Sequence, residues 1–448
     1  MSKHSDGDHY LRQSLTRDYP LIARGKGHYL WDDQGKRYYD GASGGVGAVL
    51  IGHAVPEVLE AMAKQAATLC HAHISLFNTQ PPIRLAERII RDFAPSGMSH
   101  VYFVSTGTES TELAVKLARR YHLERGHATK FKVICRWGGY HGSSLAALSY
   151  GGRSSRRPDY HPYYFNSGFI PSPYCYRCPY GLIYPNCGTA CAWELERAIK
   201  REGEHVVSTF ITEAYSNTSG VLGAPPEYFP IIRRICDKYD VLLILDEVIT
   251  GWGRTGAKFA IDHWGVVPDM ICTGKGLASG YAPLAATIIH EKVIKAVEPS
   301  GRSIQGFTYG GNPLSCAVGE AVLSYITDND LVERSVQLGA EVQQRARQFL
   351  ELPIVGDVRG RGMLLGVEYV ANKKTRTPFS RNIRLCETIT DRAFANGLVT
   401  CPISGVADGV DGDATVFKPP LTSPLDDVMT MLDILEDTIR QVQDDLQQ

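Results

Sequence analysis

Val241-Leu-Leu-Ile-Leu-Asp246-Glu247-Val248 is the stretch that decides how this chain folds. Five consecutive aliphatic residues without polar alternation suit a strand buried on both faces, as in the middle of a parallel sheet. The run stops at two carboxylates, and the carboxyl ends of parallel strands are where open α/β sheets bind ligands. Burying Asp246 there costs several kcal/mol unless a positive group meets it.

Working outward, short apolar runs alternate with helical segments from about residue 85 to 290. They include Val101–Val104, Lys132–Cys135, Val207–Ile211, Val241–Leu245 and Leu284–Ile289. This alternation predicts an α/β fold with a mostly parallel sheet sandwiched by helices. Ahead of it come a polar arm over residues 1–20, two short strands about an Asp-Gln-Gly turn within Gly27–Asp40, and a helix from Pro56 to about Thr68. Beyond about residue 312 the spacing predicts helices over 314–326 and 331–349, a strand–turn–strand over 355–368 and a last helix from Asp426. The expected division is an N-terminal arm with part of a small domain (1–55), a large domain (56–325) and a C-terminal small α+β domain (326–448).

Composition narrows the function. With 448 residues, 44% hydrophobic, 21% charged and a net charge of −1, the chain fits a soluble globular protein. That balance offers no field to attract nucleic acid or an anionic membrane. No apolar run approaches the eighteen or so residues of a membrane span. The stretch Met1–His9 is polar and lacks the core of a signal peptide, so a cytoplasmic enzyme is expected. Eleven cysteines include Cys175-x-x-Cys178 and Cys187-x-x-x-Cys191. These could hold zinc in a structural role, or form a packed loop with free thiols or a disulfide. No metal enters the expected catalytic site.

An apolar strand ending in Asp-Glu also suits an ATPase, but that needs Gly-x-x-x-x-Gly-Lys-[Ser/Thr]. Residue 269 is Asp and Gly276 follows Lys275, so the pattern fails. A protonated pyridine nitrogen is another partner for Asp246. Lys275, in Thr273-Gly-Lys275-Gly-Leu-Ala-Ser-Gly280, lies in the next supersecondary unit, and the pair suggests pyridoxal phosphate chemistry. Ser105-Thr106-Gly107-Thr108-Glu109 opens a helix and could bind a phosphate or simply cap that helix. Trp137-Gly-Gly-Tyr140-His141-Gly142 could bring an aromatic ring onto a flat cofactor or form a packed turn. Glu213 ends another strand, as Asp246 does, which argues for a shared site. Thr308 lies in a flexible loop ahead of a helix.

In order and spacing these stretches resemble the class III aminotransferases of the fold-type I pyridoxal phosphate enzymes. The likeness runs from Arg24–Gly41 through Ile51-Gly-His53, Ser105–Glu109, Trp137–Gly142, Asp246–Gly256, Thr273–Pro283 and Gly306–Pro313 to Lys418-Pro-Pro-Leu421. The resemblance implies that Lys275 carries the cofactor as a Schiff base and shuttles a proton. It further implies that Asp246 pairs with the pyridine nitrogen and that Tyr140 and Val248 sandwich the ring. Gly107 and Thr108 would bind the phosphate, joined by Thr308 from the other subunit of a homodimer. Glu213 and His141 complete the implied site. The implied reaction is a ping-pong transfer from an amine or omega-amino compound to an oxo acid such as pyruvate or 2-oxoglutarate. A same-fold epimerase, phospho-lyase or decarboxylase would use the same lysine and aspartate. A non-enzymatic binding protein would not need them.

Many amine:pyruvate members carry an arginine in the loop before Pro-Pro-Leu. Here that loop, Gly405–Phe417, has none, and Asp411 stands about where it is expected. Asp411 would repel an acid and favour an amine lacking an adjacent carboxylate, or it could simply face solvent. Lys418 could replace the arginine as an anchor. The small residues Gly44-Gly45-Val46-Gly47-Ala48 would leave room in the pocket or permit a turn.

Overall fold

The computed structural model describes residues 9–304 and 306–447. Residues 1–8 of the expected polar arm therefore lie outside the described residues, and 9–21 carry no helix or strand. Seven strands form the large sheet: β1 (Met98–Val104), β2 (Lys132–Arg136), β3 (Gly168–Ile170), β4 (Val207–Glu213), β5 (Leu242–Asp246), β6 (Met270–Thr273) and β7 (Ala285–His290). Their order is β1-β7-β6-β5-β4-β2-β3. Neighbours from β6 to β3 are parallel, while β7 runs antiparallel to both β6 and β1.

The apolar run at 241–245 has no polar alternation because both faces of β5 are covered. Leu243 and Leu245 enter one core, with Phe210, Ile271 and Trp252. Leu242 and Ile244 enter the other, with Leu113 and Leu117 of the helix Gly107–Glu124. Each such side chain contributes roughly 2 kcal/mol of burial.

A second, antiparallel sheet joins Val355–Arg361, Leu364–Tyr369, Asp413–Phe417 and Cys401–Ser404 in that order. In a third, Ile22–Lys26, Tyr29–Asp32 and Arg37–Asp40 are completed by Leu398–Val399 from near the other end of the chain. The helices Pro56–Thr68, Pro313–Asp328, Leu331–Arg347 and Leu425–Gln447 lie close to their expected positions. The fold is mixed α/β with a large, mostly parallel sheet flanked by helices. Among the described residues, no helix is long and apolar enough to cross a membrane.

The buried Arg254 ties these parts together. Its guanidinium donates to the carbonyls of Met363 and Pro419 and, at 3.1 Å, to Ser43 Oγ. Burial holds it well below its ordinary range, at about 9.

Candidate active site

A cavity of about 410 Å³ opens at the carboxyl ends of the parallel strands. It collects Gly107, Thr108, Tyr140, His141, Glu213, Asp246, Val248 and Lys275, although these residues span nearly 170 positions of sequence. Thr308, the remaining candidate, is exposed and does not line this cavity.

Parallel register sets the acidic wall. β4 and β5 pair so that Glu213 stands beside Asp246, and both strands end there. Asp246 Oδ2 lies 2.9 Å from His141 Nδ1, and Oδ1 accepts from the Val248 N–H at 3.1 Å. An ionised carboxylate only accepts, so the imidazole donates from Nδ1. The Nε2 of His141 is buried without a partner among the described residues. Burial raises Glu213 to about 7, with His141 opposing the shift and Asp246 reinforcing it. Its Oε2 accepts from the Tyr140 N–H at 3.4 Å.

The second carboxylate of the Asp-Glu pair points elsewhere. Glu247 accepts from the Ala260 N–H at 3.0 Å, the Ile261 N–H at 2.8 Å and the Thr250 hydroxyl. It braces a turn and does not line the cavity.

Lys275 sits in a left-handed backbone conformation (φ 41°) just after β6. Its tip keeps partial exposure where it lines the cavity, but surrounding protein takes away most of its hydration. That desolvation lowers the amine to about 8, with Asp246 pulling it up and Lys418 pushing it down.

The opposite wall is the start of helix Gly107–Glu124. Thr106 caps it through a hydroxyl that accepts from the Glu109 N–H at 3.2 Å. The Glu109 carboxylate in turn accepts from Ser105 N–H at 2.7 Å and Thr106 N–H at 3.2 Å. Capping and anion binding are thus compatible. The box takes those three N–H groups, and among the described residues nothing accepts from the N–H of Gly107 or Thr108. Two free donors at the positive end of a helix make an anion seat. A Cβ at Gly107 would meet Val248 at 3.0 Å, and one at Gly142 (φ 139°) would meet Thr108 Oγ1 at 2.6 Å. Glycine is required at Gly142, and at Gly107 any side chain would have to push Val248 back by a few tenths of an ångström.

Three expectations for the substrate end need correction. Asp411 does not reach the cavity: its Oδ1 accepts from the Arg381 N–H at 2.7 Å, capping the turn Arg381–Ile383. Lys418 is fully buried behind the wall, donating to Asn217 Oδ1 at 3.2 Å, and so is not a surface anchor. Of the small stretch 44–48, only Ala48 lines the cavity. Gly47 instead makes room for Lys418, whose Cε would lie 3.1 Å from a Cβ there.

Asn217 and Thr218 also line the cavity and were not anticipated. The available signal is a polar turn, Ser216–Gly220, directly after a strand-end acid. Thr218 also lines a second cavity of about 300 Å³, walled by Arg153, Trp137 and the loop 404–409. Arg153 donates from Nε to Ser155 Oγ at 3.2 Å, and among the described residues no carboxylate pairs with it. Burial and the neighbouring Arg156 hold its guanidinium below the ordinary range.

The chain matches the family model described as aminotransferase class III over residues 13–439. It is 34% identical to the uncharacterized aminotransferase YodT of Bacillus subtilis, over 97% of this chain and 98% of that protein. It is 32% identical to the putrescine–pyruvate aminotransferase of Pseudomonas aeruginosa, over 95% and 93%. An amine transaminase structure from an uncultivated Pseudomonas species in its PLP-bound form superposes with a TM-score of 0.92 at 30% identity, covering 98% of this chain and 100% of that one. A cavity at the strand ends, a lowered lysine, a buried carboxylate and a matched sequence from end to end lead to one assignment: the chain belongs to the class III aminotransferases, fold-type I enzymes that transfer amino groups with pyridoxal phosphate.

Proposed function

We infer that the chain transfers an amino group from an amine without an adjacent carboxylate to a small oxo acid, with Lys275 as the proton carrier. The observation that carries this reading is the placement of an amine lowered to about 8 in the same cavity as the Asp246–His141 pair. The printed activity of one relative, on putrescine and pyruvate, supports the donor and acceptor classes. The residues suit the cofactor: free N–H groups at Gly107 and Thr108 for its phosphate, Val248 and Tyr140 as walls, Asp246 for a cationic ring nitrogen.

When bound, pyridoxal phosphate supplies the electron sink for the donor's α-carbon. Lys275 Nζ, neutral at slightly alkaline pH, would take the proton from that carbon and return it two bonds away, on the far side of the nitrogen. Asp246 holds fixed negative charge, and the His141 hydrogen bond keeps its carboxylate oriented. Glu213, raised to about 7, keeps hydrogen-bonding capacity on both sides of neutrality. Val248 and Gly107 close the wall against water.

Covalent capture of pyridoxal phosphate requires neutral Lys275. Capture by the cofactor-free chain is therefore expected to quicken about tenfold per pH unit below 8 and level off above it. An ordinary lysine would keep accelerating past about pH 10. Stopped-flow absorbance across this range checks the point. Lys418→Met removes a repelling charge, so it should move the plateau to higher pH.

The oxo acid needs a cation for its carboxylate, and Arg153, in the adjoining cavity, is one that no carboxylate pairs with among the described residues. Arg153→Met is expected to raise KM for the oxo acid about 10- to 100-fold while leaving the donor half-reaction unchanged. Equal KM values in variant and parent would remove Arg153 from this role.

A spectrum of the loaded enzyme, recorded in one turnover against monoamines, diamines and α-amino acids, tests the donor class. Conversion to pyridoxamine phosphate with amines and not with α-amino acids is expected, and the reverse order overturns it.

A homodimer belongs to the same reading. Leu76 (76% exposed), Phe77 (60%) and Tyr309 (60%) leave apolar surface near Thr308, and His71 packs edge-on against Tyr309 at 5.5 Å. Covering that surface with a second copy would bring Thr308 to the other subunit's phosphate. A cytoplasmic location is supported by eleven unpaired cysteines.

A further inference from the structure

Four cysteines take no part in this chemistry. Cys175 and Cys178 bracket the short turn Cys175–Arg177, and Cys187 and Cys191 bracket the start of the helix Ala190–Glu202. From the end of the first pair to the start of that helix, residues 179–189 form neither helix nor strand. Ile183 in this loop is 79% exposed, so apolar packing does little to fix it. The Tyr184 hydroxyl, 3.3 Å from both Glu227 carboxylate oxygens, is one tie on this loop. All four cysteine side chains nevertheless line one small cavity of about 20 Å³, walled otherwise by Tyr174, Pro179, Tyr180 and Pro225. A space of that size takes a single small occupant.

None of the four is in a disulfide. A divalent cation takes the place of the four thiol protons and offsets half of the charge that they leave. The spacing C-x2-C followed by C-x3-C supplies two soft donors from each of two turns.

We propose that Cys175, Cys178, Cys187 and Cys191 bind one zinc-class divalent cation as a closed tetrathiolate, releasing four protons to solvent and fastening the 179–189 loop. The site is structural, since four thiolates leave no open coordination position. All four residues are described, and no three of their sulfurs lie mutually within 4.8 Å. A tetrahedral set with bonds of about 2.3 Å needs roughly 3.8 Å between sulfurs, so the loop draws inward on binding. Gly181 (φ 66°) and Gly188 (φ 58°), with nothing within 4 Å of a built Cβ, give it the slack. The tighter trio of Cys386, Glu387 and Asp413 is a poorer cation site because Arg381 already pairs with both carboxylates.

Cobalt(II) added to the reduced, metal-depleted full chain tests the proposal, with elemental analysis of the enzyme as purified. The expected result is the intense visible and charge-transfer absorption of tetrahedral cobalt thiolate, displaced by zinc, and about one zinc per chain. The double variant Cys178→Ser/Cys191→Ser should lose at least about nine-tenths of that metal while Lys275 still captures pyridoxal phosphate. Cys386→Ser should retain all of it. Absence of the thiolate spectrum in the parent chain overturns the proposal, as does a disulfide among the four cysteines or full metal content in the double variant. If the double variant fails to fold, the parent's cobalt spectrum and the Cys386→Ser metal content decide alone.

Discussion

Lys275→Ala is expected to abolish transamination, with kcat down by about 10,000-fold or more. Among the described residues no other amine lines the cavity, and Lys418 is enclosed behind the wall, donating to Asn217. The loss should come without unfolding. Placing an amine of ordinary value 10.5 where it titrates at about 8 costs the native state roughly 3 kcal/mol. This penalty is complete below about pH 8, where the folded chain must carry the buried ammonium, and it fades as pH rises towards 10.5. At neutral pH, therefore, the cofactor-free variant should melt no lower than the parent. A calorimetric scan beside an activity assay checks both halves. A variant that is inactive because it is misfolded would fail the first.

Asp246→Asn should lower kcat by about 1,000-fold while Lys275 still captures the cofactor. The substitution keeps the size and can keep the Val248 contact; it removes the charge and, because an amide NH2 cannot accept, the hydrogen bond from His141 Nδ1. Without that charge a protonated ring nitrogen loses its counter-ion, and the electron sink weakens. Two neighbours report the loss independently. Asp246 pushes Glu213 up and pulls Lys275 up, so both should titrate lower in the variant. The capture plateau should then move to more acidic pH, opposite to the shift expected for Lys418→Met. Asp246→Asn with parental turnover would show that the pair with His141 is structural only.

Much of this arrangement is readable from residues alone, for identifiable reasons. A strand covered on both faces needs no alternation, so 241–245 stands out, and the first charge marks its end. Choosing between Asp246 and Glu247 is harder, because consecutive carboxylates are chemically alike. They separate only when the turn after β5 carries Glu247 to the N–H groups of Ala260 and Ile261. The strand Met270–Thr273 escapes notice because four residues give too little periodicity. Arg153 and the loop 404–409 meet across some 250 positions, a closeness that no local spacing encodes. Asp411 misleads for a related reason: its use is fixed by a backbone N–H thirty residues away. Thr308 lies on the surface of a single chain, so its expected role depends on a second copy that the sequence implies only by resemblance.

The reversed direction of β7 has a mechanical consequence. β6 rises to the cavity rim at Thr273 and β7 descends from that rim at Ala285, so the intervening arch is pinned at both feet. Lys275 stands two residues from one foot. Its Cα is in effect a fixed pivot, and the four-carbon stem is the only lever that moves. Motion of the amine at this foot is thus rotation about side-chain bonds, which takes nanoseconds or less where the side chain is free to turn.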